Sequence, residues 1–226
     1  MREPVPPPPY RLLVFDWNGT LMDSIASIVA CTEATLAELG LPPVPLGTIR
    51  GAVGLSIRDT VEVLRPGADE AAARRLMETF RRYWFATYRD QPVLFPGTAP
   101  TLAALAAAGY LLAIATGKSR HGLAHDLAAT GIGHLFHASR TADETDPKPH
   151  PQMLLELLDE LGARPAEALM IGDSRWDLEM AAGAGTAAVA VASGSHRREE
   201  LAGLAELRPL AILDGVGELP GWLRRL

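Results

Sequence analysis

Four short segments carry the residues that could do chemistry. Asp16-Trp17-Asn18-Gly19-Thr20 puts a carboxylate on a tight, glycine-containing turn after an apolar run. There it can face an open site as a nucleophile or a metal ligand. Ala115-Thr116-Gly117-Lys118-Ser119 sets a hydroxyl and a glycine N–H ahead of a helical stretch, a natural anion cradle. In Asp146-Pro147-Lys148-Pro149-His150-Pro151 a lysine stands between prolines, whose restricted backbone suits a fixed positive charge. Gly172-Asp173-Ser174-Arg175-Trp176-Asp177 brings two carboxylates to a strand-to-helix turn, suited to a hard, oxygen-preferring cation. Alone, each segment has an ordinary reading as a cap, a turn or a solvated lysine. In this order they supply a nucleophile, a phosphate cradle, a countercharge and a metal site.

The elements that must hold these segments show in the apolar periodicity. Runs at 11–15, 110–115, 168–171 and 186–192 read as buried parallel strands. Helical patterns at 98–108, 120–130, 151–161 and 176–184 alternate with them. The alternation predicts an α/β fold, a doubly wound parallel sheet with helices on both faces. Ligands of such sheets sit at the carboxyl ends of the strands, and the four segments follow strand ends or lie between them. Residues 22–93 break the alternation with helical stretches at 24–40, 56–64 and 69–88, punctuated by Pro42-Pro43 and Pro66-Gly67. The reading is an all-helical cap over 22–93 inserted into a core of 10–21 and 94–226. Phe95-Pro96-Gly97 marks the return to the sheet, and residues 1–9 read as an extended proline-rich tail.

Composition narrows the function classes. The chain is 48% hydrophobic and 21% charged, ordinary for a soluble globular protein. No apolar stretch approaches the roughly 20 residues of a transmembrane helix, and the N-terminus lacks the apolar centre of a signal peptide. A net charge of -6 argues against a nucleic-acid partner. Cys31 is the only cysteine, which excludes an internal disulfide and a thiolate zinc site. The expectation is a cytoplasmic monomer or weak homo-oligomer with no membrane partner. Lys118 and Lys148 are the only lysines, so lysine-dependent chemistry has two candidates.

The four segments in order, Phe95-Pro96-Gly97, and the run Ala181-Ala182-Gly183-Ala184-Gly185-Thr186 leading to a last core strand and Ser193-Gly194 resemble the haloacid dehalogenase superfamily. Within it, the likeness is to the phosphoglycolate phosphatase-like branch with a helical cap, over nearly the whole chain after Tyr10. The resemblance implies magnesium-dependent hydrolysis of a small phosphorylated metabolite, phosphoglycolate being the first candidate. Asp16 would attack phosphorus and water would hydrolyse the resulting aspartyl-phosphate. Mg2+ would be held by the Asp16 carboxylate, the Asn18 backbone carbonyl and Asp173. Thr116, the Gly117 N–H and Lys148 would bind the phosphoryl group. Thr20, Ser174 and Asp177 would stand behind these ligands, Asp177 beside Lys148. Phosphoryl transfer asks mainly for positioning and charge neutralisation, in keeping with these roles.

The resemblance departs at Asn18. The phosphatase pattern has an aspartate there, which protonates the leaving oxygen and later deprotonates the attacking water. An amide cannot trade protons near neutral pH, and general acid–base help is worth about 10²–10⁴-fold. Impaired turnover with intact metal binding is therefore expected. Three accounts stay open: a substitution made to trap a complex, a natural variant that uses another base or a water, and a protein that binds a phosphorylated ligand without turning it over. Asn18-Gly19 is also a deamidation-prone pair.

Rival chemistries fare worse. Residues 22–93 contain no lysine for the Schiff base of a phosphonate hydrolase. A dehalogenase would have an aromatic residue in place of Asn18 and no metal requirement, and a sugar-phosphate mutase would want the missing acid–base residue. Arg50-Gly51-Ala52-Val53-Gly54-Leu55-Ser56 reads as a loop covering the site. Arg50 would either pair with a substrate carboxylate or stand solvated at a hinge. His121 and His125 have chelating i, i+4 spacing but no evident third ligand, so they read as an exposed helix face.

Overall fold

The apolar run after Tyr10 becomes the central strand of the molecule. The computed structural model describes residues 10–88 and 92–226; the proline-rich stretch at 1–9 lies outside the described residues. In chain order the elements are β1 (Leu12–Phe15), α1 (Ile25–Glu38), α2 (Leu46–Gly51), α3 (Ile57–Leu64), α4 (Glu70–Thr87), α5 (Thr98–Ala107), β2 (Leu111–Thr116), α6 (Arg120–Thr130), β3 (Ala138–Thr141), α7 (Gln152–Glu160), β4 (Ala168–Gly172), α8 (Arg175–Ala184), β5 (Ala187–Val191), α9 (Arg198–Gly203), β6 (Ile212–Leu213) and α10 (Leu219–Leu223). The sheet order is β3-β2-β1-β4-β5-β6, and every neighbouring pair is parallel.

All of β1 is buried because both faces of the sheet are covered. Leu13 and Phe15 pack against Leu102 of α5, Leu123 of α6 and Trp222 of α10. Leu12 and Val14 face the opposite layer, with Leu157 of α7, Leu178 of α8 and Leu201 of α9. A strand buried on both sides needs an unbroken apolar run rather than alternation. Each such side chain contributes about 1.5–3 kcal/mol.

Two strands escape the apolar pattern. β3 reads Ala-Ser-Arg-Thr and is half-buried at the sheet edge, so polar residues are tolerated. β6 has only two residues, too short for a periodic signal.

Between β1 and α5 the described chain runs through α1 to α4 with no strand of the sheet. Ser56 caps α3 by accepting the Asp59 N–H at 3.2 Å, and Asp69 caps α4 by accepting the Ala72 N–H at 2.7 Å. The two connections meet where Met22 bridges Leu94 antiparallel, with the Asp23 N–H donating to the Val93 carbonyl at 2.8 Å. The stretch expected as a loop from Arg50 differs in detail. Arg50 and Gly51 form the last turn of α2, whose six residues are too few for a clear period. Among the described residues no helix is long and apolar enough to cross a membrane.

Candidate active site

Parallel register brings three of the chemical segments to one edge. Phe15 pairs with Ile114 of β2 and Ile171 of β4. Asp16, Thr116 and Asp173 therefore emerge side by side at the carboxyl ends of β1, β2 and β4. Asp16 stays in the ladder, its N–H donating to the Ile171 carbonyl at 2.9 Å. The loop between β3 and α7 supplies Lys148, which is fully buried. Its Nζ lies 2.7 Å from Asp16 Oδ1 and 2.6 Å from Asp177 Oδ1. Asp177 is held from behind, because the Ser174 N–H and hydroxyl donate to its Oδ2 at 3.1 and 2.6 Å. Asp173 accepts the Thr20 hydroxyl at 2.9 Å and the Ser195 N–H at 2.6 Å.

Gly19 makes this approach possible. Its φ is +82°, and a Cβ there would stand 2.5 Å from Asp173 Oδ2. Any side chain would push the Asp16 turn away from Asp173.

The charges do not balance within the protein. Asp16, Asp173 and Asp177 are buried, with ligand atoms within 4.8 Å of one another, and among the described residues Lys148 is the only cation paired with them. Asp16 Oδ1 makes its contact with Nζ out of hydrogen-bond alignment and has no other donor. Burial pushes the Asp16 carboxyl up to about 8, against the pull of Lys148, with Asp177 and Asp173 adding to the rise. Burial and Asp177 also raise Asp173, against its bonds from Ser195 and Thr20. Burial disfavours the Lys148 charge, yet Asp16 and Asp177 outweigh it and hold that pKa above its ordinary value. Three carboxylates against one ammonium leave room for a hard divalent cation, and all-oxygen ligands are the donor set such a cation takes. The residues fit magnesium.

Asp16, Asn18, Thr116 and Gly117 line one cavity of about 220 Å³ that extends into α1 to α4. Asn18 Oδ1 accepts the Ser24 hydroxyl at 3.0 Å. Thr116 Oγ1 accepts the Lys118 N–H at 3.2 Å. Gly117 is one place where the helical segment touches the core: a Cβ there would meet the Gly54 carbonyl oxygen at 2.5 Å.

Arg50 differs from expectation. It does not line this cavity. Its half-buried guanidinium donates to the backbone carbonyls of Ser195 at 3.1 Å and Gly194 at 2.7 Å, so it is engaged by the core backbone rather than placed in the cavity. Trp17 is fully buried in the core, where its Nε1 donates to Asp126 Oδ2 at 2.8 Å. Asp126 also binds Lys118 Nζ at 2.6 Å, and that ammonium lies 5.5 Å from the Trp84 ring centre. His121 is exposed. Among the described residues the only clustered metal-ligand set is the aspartate trio, without a histidine. Sequence reasoning missed the Ser195 N–H, the Ser24 hydroxyl and Asp126. The first is a backbone donor with no residue-type signature, and the other two are ordinary helix-associated residues.

A family model described as haloacid dehalogenase-like hydrolase matches residues 13–191. The probable phosphatase IndB of Dickeya dadantii is 35% identical over 219 residues, covering 93% of this chain and 92% of that protein. A phosphoglycolate phosphatase of Pseudomonas syringae pv. tomato is 32% identical over 222 residues, covering 94% of this chain and 80% of that protein. The solved structure of a hydrolase from Pseudomonas syringae superposes with a TM-score of 0.85 at 24% identity, over 96% of this chain and 99% of that one. That likeness shows the fold.

Proposed function

The chain belongs to the haloacid dehalogenase-like hydrolase family, and from that premise we propose that it is a magnesium-dependent phosphatase hydrolysing a small phosphorylated metabolite through an aspartyl-phosphate. The observation that carries the reading is Lys148, buried between Asp16 and Asp177 beneath a cavity that opens onto Asp16.

An Asp16 carboxylate oxygen forms the bond to phosphorus as the ester P–O bond breaks, and the electron pair leaves with the alcohol oxygen. Water then adds to phosphorus and gives a proton to solvent, the P–O bond to Asp16 breaks with its electron pair returning to the carboxylate, and inorganic phosphate departs. Thr116, the Gly117 N–H and Lys148 bind the phosphoryl oxygens, and Lys148 offsets their charge. Asp177 positions Lys148, Ser174 positions Asp177, and Thr20 positions Asp173. The Asp16 carboxylate, the Asn18 carbonyl and Asp173 would hold magnesium, which supplies further neutralisation of phosphoryl charge. Asn18 cannot deliver a proton, so the leaving oxygen takes its proton from water. Helices α1 to α4 act as the cap over the core site. The lone cysteine and acidic charge support a cytoplasmic enzyme, monomeric or weakly associating, with no nucleic-acid partner.

The test is phosphate release from a panel of monoesters that includes phosphoglycolate, with the chain and its Asn18→Asp variant side by side. The expected result is release that requires magnesium, stops on chelation, and is lost in Asp16→Asn. Magnesium-independent release would sink the metal site, and no release from either protein would sink the phosphatase reading. Asn18 favours a second reading, a binder that retains phosphorylated ligands. It predicts tight phosphate-ester binding with turnover appearing only in Asn18→Asp.

A further inference from the structure

We propose that the leaving group of the substrate is apolar: the protein takes a phosphate monoester of a hydrocarbon-rich alcohol, a single ring or a short branched chain, and disfavours one bearing a carboxylate. This rests on the phosphatase reading and assigns its substrate class. The cavity that begins at Asp16 and Asn18 continues between α1, α3 and α4, walled by Leu36, Ile49, Val61, Leu76, Phe80 and Trp84.

Away from the Asp16 end, two of its polar side chains, on α1, are turned to their own helix. The Thr32 hydroxyl donates to the Ile28 carbonyl at 2.8 Å and the Thr35 hydroxyl to the Cys31 carbonyl at 2.7 Å. Both spend their hydrogen-bonding proton on their own helix. The cations offer little to a carboxylate. Lys118 is neutralised by Asp126 at 2.6 Å, Arg50 is tied to Gly194 and Ser195 outside the cavity, and Arg81 lines the cavity from an exposed position, where solvent screens its charge.

A substrate in this space has a doubly charged phosphoryl end at Asp16 and Lys148 and a remainder among aliphatic and aromatic side chains. Burying an ionised carboxylate there goes uncompensated. Pockets of drug-sized ligands run to roughly 300–1,000 Å³, so about 220 Å³ suits one ring or a short branched chain.

The experiment compares phosphoglycolate with isobutyl phosphate, a counterpart of similar shape that lacks the carboxylate charge, and extends through methyl, ethyl, butyl and phenylethyl phosphates. kcat/KM is measured with magnesium on the chain and on Asn18→Asp. Each added methylene should raise kcat/KM about fourfold until the cavity is full, and isobutyl phosphate should exceed phosphoglycolate. Phe80→Ala should lower the value for phenylethyl phosphate more than for methyl phosphate. Calorimetry with isobutylphosphonate and carboxymethylphosphonate, which are not turned over, should show the same order. Phosphate release from every ester without apolar preference, or with phosphoglycolate foremost, would overturn the substrate class and leave the phosphatase reading standing. No release from any ester by either protein, with no phosphonate binding, would overturn both.

Discussion

Removing magnesium should make the protein lose stability as pH rises from 6.5 to 8, and restoring it should abolish that loss. Without a cation, burial holds the folded-state pKa of Asp16 at about 8, whereas an unfolded aspartate titrates near 3.9. A carboxyl raised on folding binds more protons in the native state. It favours the native state at low pH and loses that effect as pH rises through the folded value. Between pH 6.5 and 8 the native protein goes from nearly fully protonated to half protonated at Asp16, while the unfolded chain is deprotonated throughout. At 1.36 kcal/mol per pKa unit this amounts to about 1.5 kcal/mol, or about 3–6 °C in Tm for a chain of this length. His196, lowered chiefly by burial, works in the opposite sense and fades above its unfolded value of about 6.5. The assay is thermal melting by circular dichroism at several pH values, in chelator and in saturating magnesium, with Asp16→Asn as control. A metal-free Tm that does not fall, or falls equally in Asp16→Asn, would refute the claim that Asp16 lacks adequate charge compensation within the protein.

Other expectations are more direct. Asn18→Asp should raise kcat by about 10²–10⁴-fold on alkyl esters, with a smaller gain on aryl esters whose leaving groups need no proton; steady-state kinetics on matched pairs decides this. Lys148→Met should cut kcat by at least about 10²-fold and destabilise the fold by about 3–5 kcal/mol by stranding buried carboxylates, measured by denaturant titration at neutral pH. Arg50→Ala removes two charge-assisted bonds to backbone carbonyls and should cost about 1–3 kcal/mol of stability. It should leave the preference between isobutyl phosphate and phosphoglycolate unchanged; a selective loss of phosphoglycolate hydrolysis would restore Arg50 as a substrate contact. Deamidation at Asn18 should be slower folded than unfolded, by peptide mass spectrometry, because the Gly19 N–H is engaged by the Met22 carbonyl at 2.8 Å.

What the sequence reveals of the site follows from how the site is made. Asp16, Thr116 and Asp173 each directly follow or end a buried strand, so an apolar run announces each position. Lys148 lies on no regular element, yet its flanking prolines and the scarcity of lysine single it out. Arg50 was legible only as a cation near glycines, because its partners are carbonyls of Gly194 and Ser195, 144 and 145 residues away. β3 was illegible for a different reason: an edge strand half open to solvent needs no apolar code. The cavity was equally hidden, since helical apolar residues announce a buried face but not whether that face closes on a core or around a guest.

The Ser195 peptide has two loyalties. Its N–H donates to Asp173, while its carbonyl accepts from Arg50 of the helical segment. One backbone unit is thus shared between a proposed cation ligand and the docking of the helical segment proposed as a cap. Thermodynamic reciprocity then follows: if docking tightens the cation by some factor, the cation must favour docking by that same factor. An enzyme wired this way would hold its metal most firmly while a substrate keeps it shut, and its grip would slacken as product leaves.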